Sequence, residues 1–434
     1  MSARDSFVPS PFAGLGKGLD RAVARGINAI TGRAIGPYQS AIIRIGFSLT
    51  WLLFLLREFP HRAELYGPDA PWSWDLAKRL VAGNHAFTVL LWNDGRAWFE
   101  CVYAFAIVAS AMLLLGWRTR TASVFFMIGV LSLQNRSVFE GDGGDNVIHL
   151  MAIYLVFTRC GQVWSLDRRR AARGEAAEAG AGPTAVSASD AEPGADPVGV
   201  ALWAVFGFAL VAATLFGKLS TGWAVLFWLF WLVQALWWAV RRVAPGEPRT
   251  VLDIIANVIH NGAMLVIVAE VCLIYSTAGW YKIQGSRWQD GTALYYPLHL
   301  DDFTPWPALS HALAGNELMV MLITYGTVIV QVAFPFTLFN RRVKNVLLVA
   351  MMLEHASIAV VLGLPFFSLA MIAADAVFLP TAFLVWAGDR LVRRLRPGAA
   401  RPRPVVHGQR TAPDDASAGP GEPAVGPPPP SAVT

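Results

Sequence analysis

The chain has 434 residues, of which 55% are hydrophobic and only 15% charged, so it has too little polar surface to cover its apolar mass in water. The formal net charge is +5, yet the basic residues sit in short loops beside apolar runs. That pattern assigns them to membrane topology and excludes a nucleic-acid surface as the main reading. Cys101, Cys160 and Cys272 fall in or beside apolar runs and form no CxxC pair, so zinc and redox motifs are not expected.

Residues 12–33 alternate apolar and basic positions at helical spacing. Phe12, Leu15, Leu19, Val23, Ile27 and Ile30 are interleaved with Lys17, Arg21, Arg25 and Arg33. The spacing predicts an amphipathic helix on the inner membrane surface. The first long apolar run starts near Ser40, too late for a cleavable signal peptide. Apolar runs follow at 40–56, 97–115, 121–134, 146–160, 198–216, 222–240, 251–280, 317–339, 344–362 and 366–386. A span needs roughly 17 to 25 residues, so the expectation is an all-α polytopic bundle of about ten transmembrane helices. The third and fourth runs are short, and the seventh is long enough to be tilted or broken.

Charge sets the expected orientation. With the N-terminus inside, Arg118–Arg120, Arg168–Arg173, Arg241–Arg249, Arg341–Lys344 and the segment from Arg390 all fall in the cytoplasm. This predicts a multi-pass protein of the cell membrane with both termini cytoplasmic. The organisation read from composition is a cytoplasmic N-terminus (1–35), a first membrane segment (36–167), a disordered linker (168–197), a helix pair (198–240), a second membrane segment (241–386) and a disordered tail (387–434, richest in Pro, Ala and Gly from 397). Neither linker nor tail holds enough apolar residues for a soluble catalytic core.

Polar residues inside the apolar runs are candidates for function. They are Arg44, Asp145, His149, His260, Asn261, Glu270, Glu354, His355 and Asp375. The alternative for each is pairing within the bundle. Asp145 and His149 are spaced i, i+4 and share a helix face, so His149 can act as a base with Asp145 fixing its tautomer. Turn chemistry with Asp145 or Asn146 as N-cap is the competing reading. Glu354 and His355 are adjacent and diverge on a helix, and no HExxH pattern exists, so neither a metal site nor haem is expected. Asn135-Arg-Ser fits a glycosylation pattern that often matches by accident.

The stretch from Tyr275 to Tyr296 leaves the seventh run on the expected outer side. Lys282 sits there among Trp280, Tyr281 and Trp288. A partly desolvated lysine can serve as a base, and a lysine snorkelling in an aromatic belt is the alternative.

Tyr275, Ala278-Gly279, Lys282, Trp288, Asp290-Gly291-Thr292-Ala293 and Tyr295-Tyr296 resemble a signature of the HTTM (horizontally transferred transmembrane) domain family, related to the membrane part of vitamin K-dependent gamma-carboxylase. Asn135-Arg136 with Gly143-Gly144-Asp145-Asn146, and the junction Trp164-Ser165-Leu166-Asp167, resemble further family features. The resemblance covers about residues 36 to 386, with the helix pair 198–240 as an insertion. It implies that Lys282 is the base that deprotonates a reduced quinone, reduced menaquinone being the candidate. Trp280, Tyr281 and Trp288 would line that pocket, and Glu354 and His355, or Asp145 and His149, would tune it. The chain lacks the large lumenal domain of the carboxylase and has no clear match for the histidine that steadies the carboxylase's intermediate, which argues against glutamate carboxylation itself. Other relatives imply a non-enzymatic role in maturing a secreted peptide. A transporter using Glu270, Asp375 and His260 along a central path is the third reading and predicts broken helices.

Overall fold

The computed structural model describes residues 11–180, 197–244 and 246–395, and every regular element among them is helical. In chain order these are α1 (Pro11–Gly32), α2 (Pro37–Arg57), α3 (Arg62–Tyr66), α4 (Trp74–Asn84), α5 (Arg96–Leu115), α6 (Thr119–Gln134), α7 (Gly143–Leu155), α8 (Leu166–Gly180), α9 (Pro197–Leu215), α10 (Thr221–Val243), α11 (Glu247–Gln284), α12 (Ser286–Gln289), α13 (Pro307–Ala314), α14 (Glu317–Ala333), α15 (Arg341–Val361), α16 (Pro365–Asp375) and α17 (Thr381–Leu395). Residues up to Trp386 form one compact unit, and a second begins at Ala387.

Seven helical stretches among the described residues are long and apolar enough to cross a membrane: α2, α5, α9, α10, α11, α14 with the 3-10 turn that continues it to Thr337, and α15. The number is eight if α16 and α17, separated by a bend, count as one span. The other expected runs depart from this length for identifiable reasons. α6 has 16 residues and α7 has 13. At 1.5 Å per residue these reach about 24 and 20 Å, against a hydrocarbon core of roughly 30 Å. α6 packs between α5 and α7 and buries Phe126, Met127, Val130, Leu131 and Leu133, so this face of it meets protein. The seventh run is not broken. α11 continues for 38 residues, about 57 Å. The tenth run is interrupted at Leu379 and Pro380.

Helix boundaries follow local chemistry. α2, α11 and α16 begin with proline in the first turn, where the missing N–H costs nothing. The Asn316 and Asn340 side chains cap α14 and α15. α5 stops at Gly116, whose left-handed backbone (φ +66) suits glycine, and an added Cβ would lie 2.7 Å from Arg44 Nη1.

The segment expected to be a disordered linker is helical in its first part, as α8. Ser165 accepts the Arg168 N–H at its start, and Ala, Arg and Glu carry the helix on. Residues 181–196, the rest of that linker, and the Pro-rich tail from 397 lie outside the described residues.

The tightest packing joins α2, α5, α6, α7 and α16 around Phe47, Trp51, Tyr103, Phe126, Met127 and Met151. Small residues set the spacing. A Cβ on Gly46 would come within 2.5 Å of Ala373 Cβ, and one on Gly129 within 3.0 Å of Ala106 Cβ. Close backbone approach of this kind is how helices associate without a hydrophobic drive from lipid.

Candidate functional site

Lys282 lies in the last turn of α11 and turns toward α14. Its ammonium donates to Gln331 Oε1 at 2.5 Å, and Gln331 Nε2 donates to Glu354 Oε1 on α15 at 2.6 Å. This order fixes the amide. A flipped Gln331 would set its NH2 against the ammonium and its oxygen against the carboxylate. The Lys282 nitrogen also lies 5.2 Å from the Trp288 ring centroid, within cation–π range. A cation and a carboxylate are thus held one amide apart across three helices.

Gly279 explains why α14 comes so close. A Cβ there would lie 2.5 Å from Val332 Cγ2, so Gly279 sets the α11–α14 spacing that lets Gln331 reach Lys282. The rest of the motif is turn chemistry. Asp290 accepts both the N–H and the hydroxyl of Thr292, and these bonds hold its carboxyl below the usual range. Gly291 takes φ +79 beside Tyr325, whose hydroxyl donates to Gln289 O at 2.8 Å.

One helix position from Glu354 is a second buried cluster. The Tyr275 hydroxyl donates to Asp375 Oδ1 at 2.8 Å and lies 3.0 Å from His355 Nε2. A phenol carries one proton, so His355 Nε2–H is the donor in the second bond and Nδ1 is left as an acceptor. Neither His355 Nδ1 nor Asp375 Oδ2 has a hydrogen-bond partner among the described residues.

The other expected site residues fall elsewhere. Trp280 and Tyr281 are 61% and 73% exposed. At 100° per residue they point away from the inward face that carries Tyr275 and Lys282, so of the three aromatics only Trp288 stands beside the lysine. His149 does not pair with the Asp145 carboxylate. Asp142 is the N-cap of α7 and Asp145 completes a capping box by accepting the Asp142 N–H at 3.0 Å. His149 Nδ1 meets Gln134 Oε1 at 3.0 Å instead. No hydrogen bond or ion pair joins Asp145 or His149 to the Lys282 cluster among the described residues. Asn135 donates to Phe87 O at 2.9 Å, which engages the amide that glycosylation would need. Arg136 is fully buried and donates to Gly67 O.

Arg44, His260 and Asn261 hold helix ends and loops together. Arg44 donates from Nη1 to the Leu113 and Leu114 carbonyls and from Nη2 to Trp164 O, which caps the end of α5. His260 accepts the Arg159 backbone N–H at Nδ1 and contacts Ile35 O through Nε2, while Asn261 holds Ile35 N and Ile30 O. His260 and Asp375 therefore belong to separate clusters; α11 runs unbroken, and the sharp bend among the described helices falls between α16 and α17, just after Asp375. Gln331 is the site residue that the sequence reading missed. Its one signal was a neutral amide inside an apolar run.

No protein-family model, curated protein or solved structure matches this chain.

Proposed function

We propose that this chain is a multi-pass membrane enzyme of the HTTM class in which Lys282 removes a proton from a lipid-soluble, weakly acidic substrate, a reduced quinone such as menaquinol. The line Lys282–Gln331–Glu354, drawn from three helices and flanked by Trp288, is the observation that carries this reading. A lysine placed only to snorkel would turn outward to water. This one turns inward to an amide. In the reaction the Lys282 ammonium first releases a proton to water at the outer face; the neutral amine then takes the quinol proton, so the quinol O–H bond breaks, an N–H bond forms on Lys282, and the electron pair stays on the quinol oxygen. Glu354 balances the resulting ammonium through Gln331. Trp288 offers an aromatic face for the ring. In this reading the site opens toward the outer face, both termini are cytoplasmic, and α1 lies on the inner membrane surface.

The test compares the purified parent with Lys282→Ala and Glu354→Gln for dioxygen-dependent epoxidation of reduced menaquinone, with folding checked by size exclusion. The parent turns over, folded Lys282→Ala does not, and Glu354→Gln is slowed. A parent that neither turns over nor binds the quinol would refute the reading.

One observation favours a second role, as a factor that matures a secreted peptide. Tyr295, Tyr296, Leu300 and Trp306 are all exposed in the segment between α12 and α13, a surface suited to an apolar peptide. In that role Lys282 is dispensable and these side chains are not.

A further inference from the structure

We propose that α6, α9 and α10 together form a binding site for an anionic glycerophospholipid of the surrounding bilayer, with an acyl chain in an apolar groove and the phosphate on arginines at its mouth. The proposal is independent of the Lys282 chemistry.

The groove is about 430 Å³ and is walled by Val124 and Phe125 of α6, Leu202 and Phe206 of α9, and Phe230 and Trp231 of α10. That volume is within the range of small-ligand pockets, roughly 300–1,000 Å³. The wall is preformed. Trp203 and Trp231 stack with centroids 4.1 Å apart and planes 13° apart. Each indole N–H donates to the other residue's carbonyl, at 3.1 and 3.0 Å. Gly207 lies against this pair, where a Cβ would sit 2.5 Å from Trp231 Nε1.

A polar basin of about 690 Å³ continues from the groove. The two share Arg118, Arg120, Thr121 and Gln234, and the basin adds Arg170, Arg241, Asp167 and Trp237. Among the described residues lining the basin, Arg120, Arg170 and Arg241 accompany one carboxylate, Asp167, and that carboxylate is already engaged. Asp167 accepts the backbone N–H groups of Arg118 and Thr119 at 2.7 and 2.8 Å and the Thr119 hydroxyl at 2.9 Å. Arg120 lies 3.9 Å from the Trp237 ring centroid and within electrostatic reach of Arg159 and Arg241, and also of Asp167 and of Asp253, which Arg159 holds in an ion pair. The Trp237 indole N–H has no hydrogen-bond partner among the described residues. Like charges gathered this way are relieved by an anion, and guanidinium forks match phosphate oxygens.

Charge and shape together select the occupant. A soluble phosphate would leave the adjoining apolar groove unfilled. A zwitterionic lipid would bring an ammonium among the arginines. An anionic phospholipid satisfies both ends, as basic pockets between membrane helices do elsewhere.

Delipidated full-length protein in detergent is titrated with dioleoyl phosphatidylglycerol or dioleoyl phosphatidylcholine, and bound lipid is read by native mass spectrometry. Phosphatidylglycerol is expected to bind more tightly. Arg120→Gln/Arg241→Gln weakens it by roughly 30-fold, taking about 1 kcal/mol per arginine. Ala235→Leu, which fills the groove without changing charge, weakens it too and covers the case of a misfolded charge variant. Arg341→Gln/Arg342→Gln, an equal charge loss on another loop, leaves binding unchanged. Equal affinity for the two lipids, equal loss in both double-arginine variants, or displacement by inorganic phosphate would overturn the proposal.

Discussion

Tyr275→Phe tests the buried cluster with the smallest change available, one oxygen. The hydroxyl is the hydrogen-bond partner of Asp375 Oδ1 and of His355 Nε2, and the other polar atom of each has none among the described residues. Two estimates bracket the cost. Hydrogen bonds in membrane proteins average about 0.6 kcal/mol, so losing two costs about 1.2 kcal/mol. That average includes groups that find new partners. Here both groups are left unsatisfied in a buried site, at roughly 1–3 kcal/mol each, and the second estimate governs. The total is about 2–6 kcal/mol, and at roughly 2 °C per kcal/mol the apparent midpoint falls by about 4 °C or more. The assay is the fraction of monodisperse protein left after heating in detergent. Tyr281→Phe, on a 73% exposed residue, is the control and leaves the midpoint unchanged. A fall below about 2 °C in Tyr275→Phe would refute the claim that the phenol is the partner that both groups depend on.

Gly279→Ala sets a Cβ against Val332 and forces α14 outward, at an overpacking cost of roughly 1–3 kcal/mol. Activity falls although Lys282 is intact, and Val332→Ala restores it in the double variant, as initial rates would show. Arg44→Lys keeps the charge but loses the fork that spans Leu113, Leu114 and Trp164. Leaving buried carbonyls unpaired lowers stability by about 2–3 kcal/mol, measured by the same heating assay.

The membrane class and most helix positions were legible because apolar runs record the bilayer directly. The runs at 97–115, 198–216 and 222–240 match α5, α9 and α10 closely. Helices buried among other helices obey a different rule. α6 and α7 need partners rather than length, and a hydropathy pattern does not distinguish the two cases. Lys282 stood out because charge is rare in such runs, whereas Gln331 carries none and its role depends on a glycine one helix away. Asp145 was open to two readings because a carboxylate at i−4 from a histidine and a helix-start carboxylate look alike in sequence. What separates them is where the helix begins, and Asp142 decides that.

Orientation can be tested as one question, because hydrogen bonds and close packing tie the loops into two sets. The end of α5 meets Trp164 through Arg44, the start of α6 is held by Asp167, Arg159 reaches Asn257 and Asp253, and Ile35 is held by Asn261. These contacts place the loops carrying Arg33, Arg118, Arg120, Arg159 and Arg168 at one end of the bundle. At the other end, Phe367 packs on Gly143 and Gly144, and Pro305 packs on Gly363. The loops of one set therefore share a side in any orientation, and the proposal that the arginine-rich set faces the cytoplasm, which the positive-inside rule predicts, can be tested at a few positions. The assay uses single cysteines in a background lacking Cys101, Cys160 and Cys272, with an impermeant maleimide on intact cells. Phe139→Cys and Leu300→Cys, both at exposed positions of the second set, are labelled; Val243→Cys, 82% exposed beside Arg241, is labelled only after lysis. Labelling of Val243→Cys alone would invert the protein. Labelling at both Phe139→Cys and Val243→Cys would mean that the two sets share a side, and would sink the reading of α6 and α7 as crossing helices.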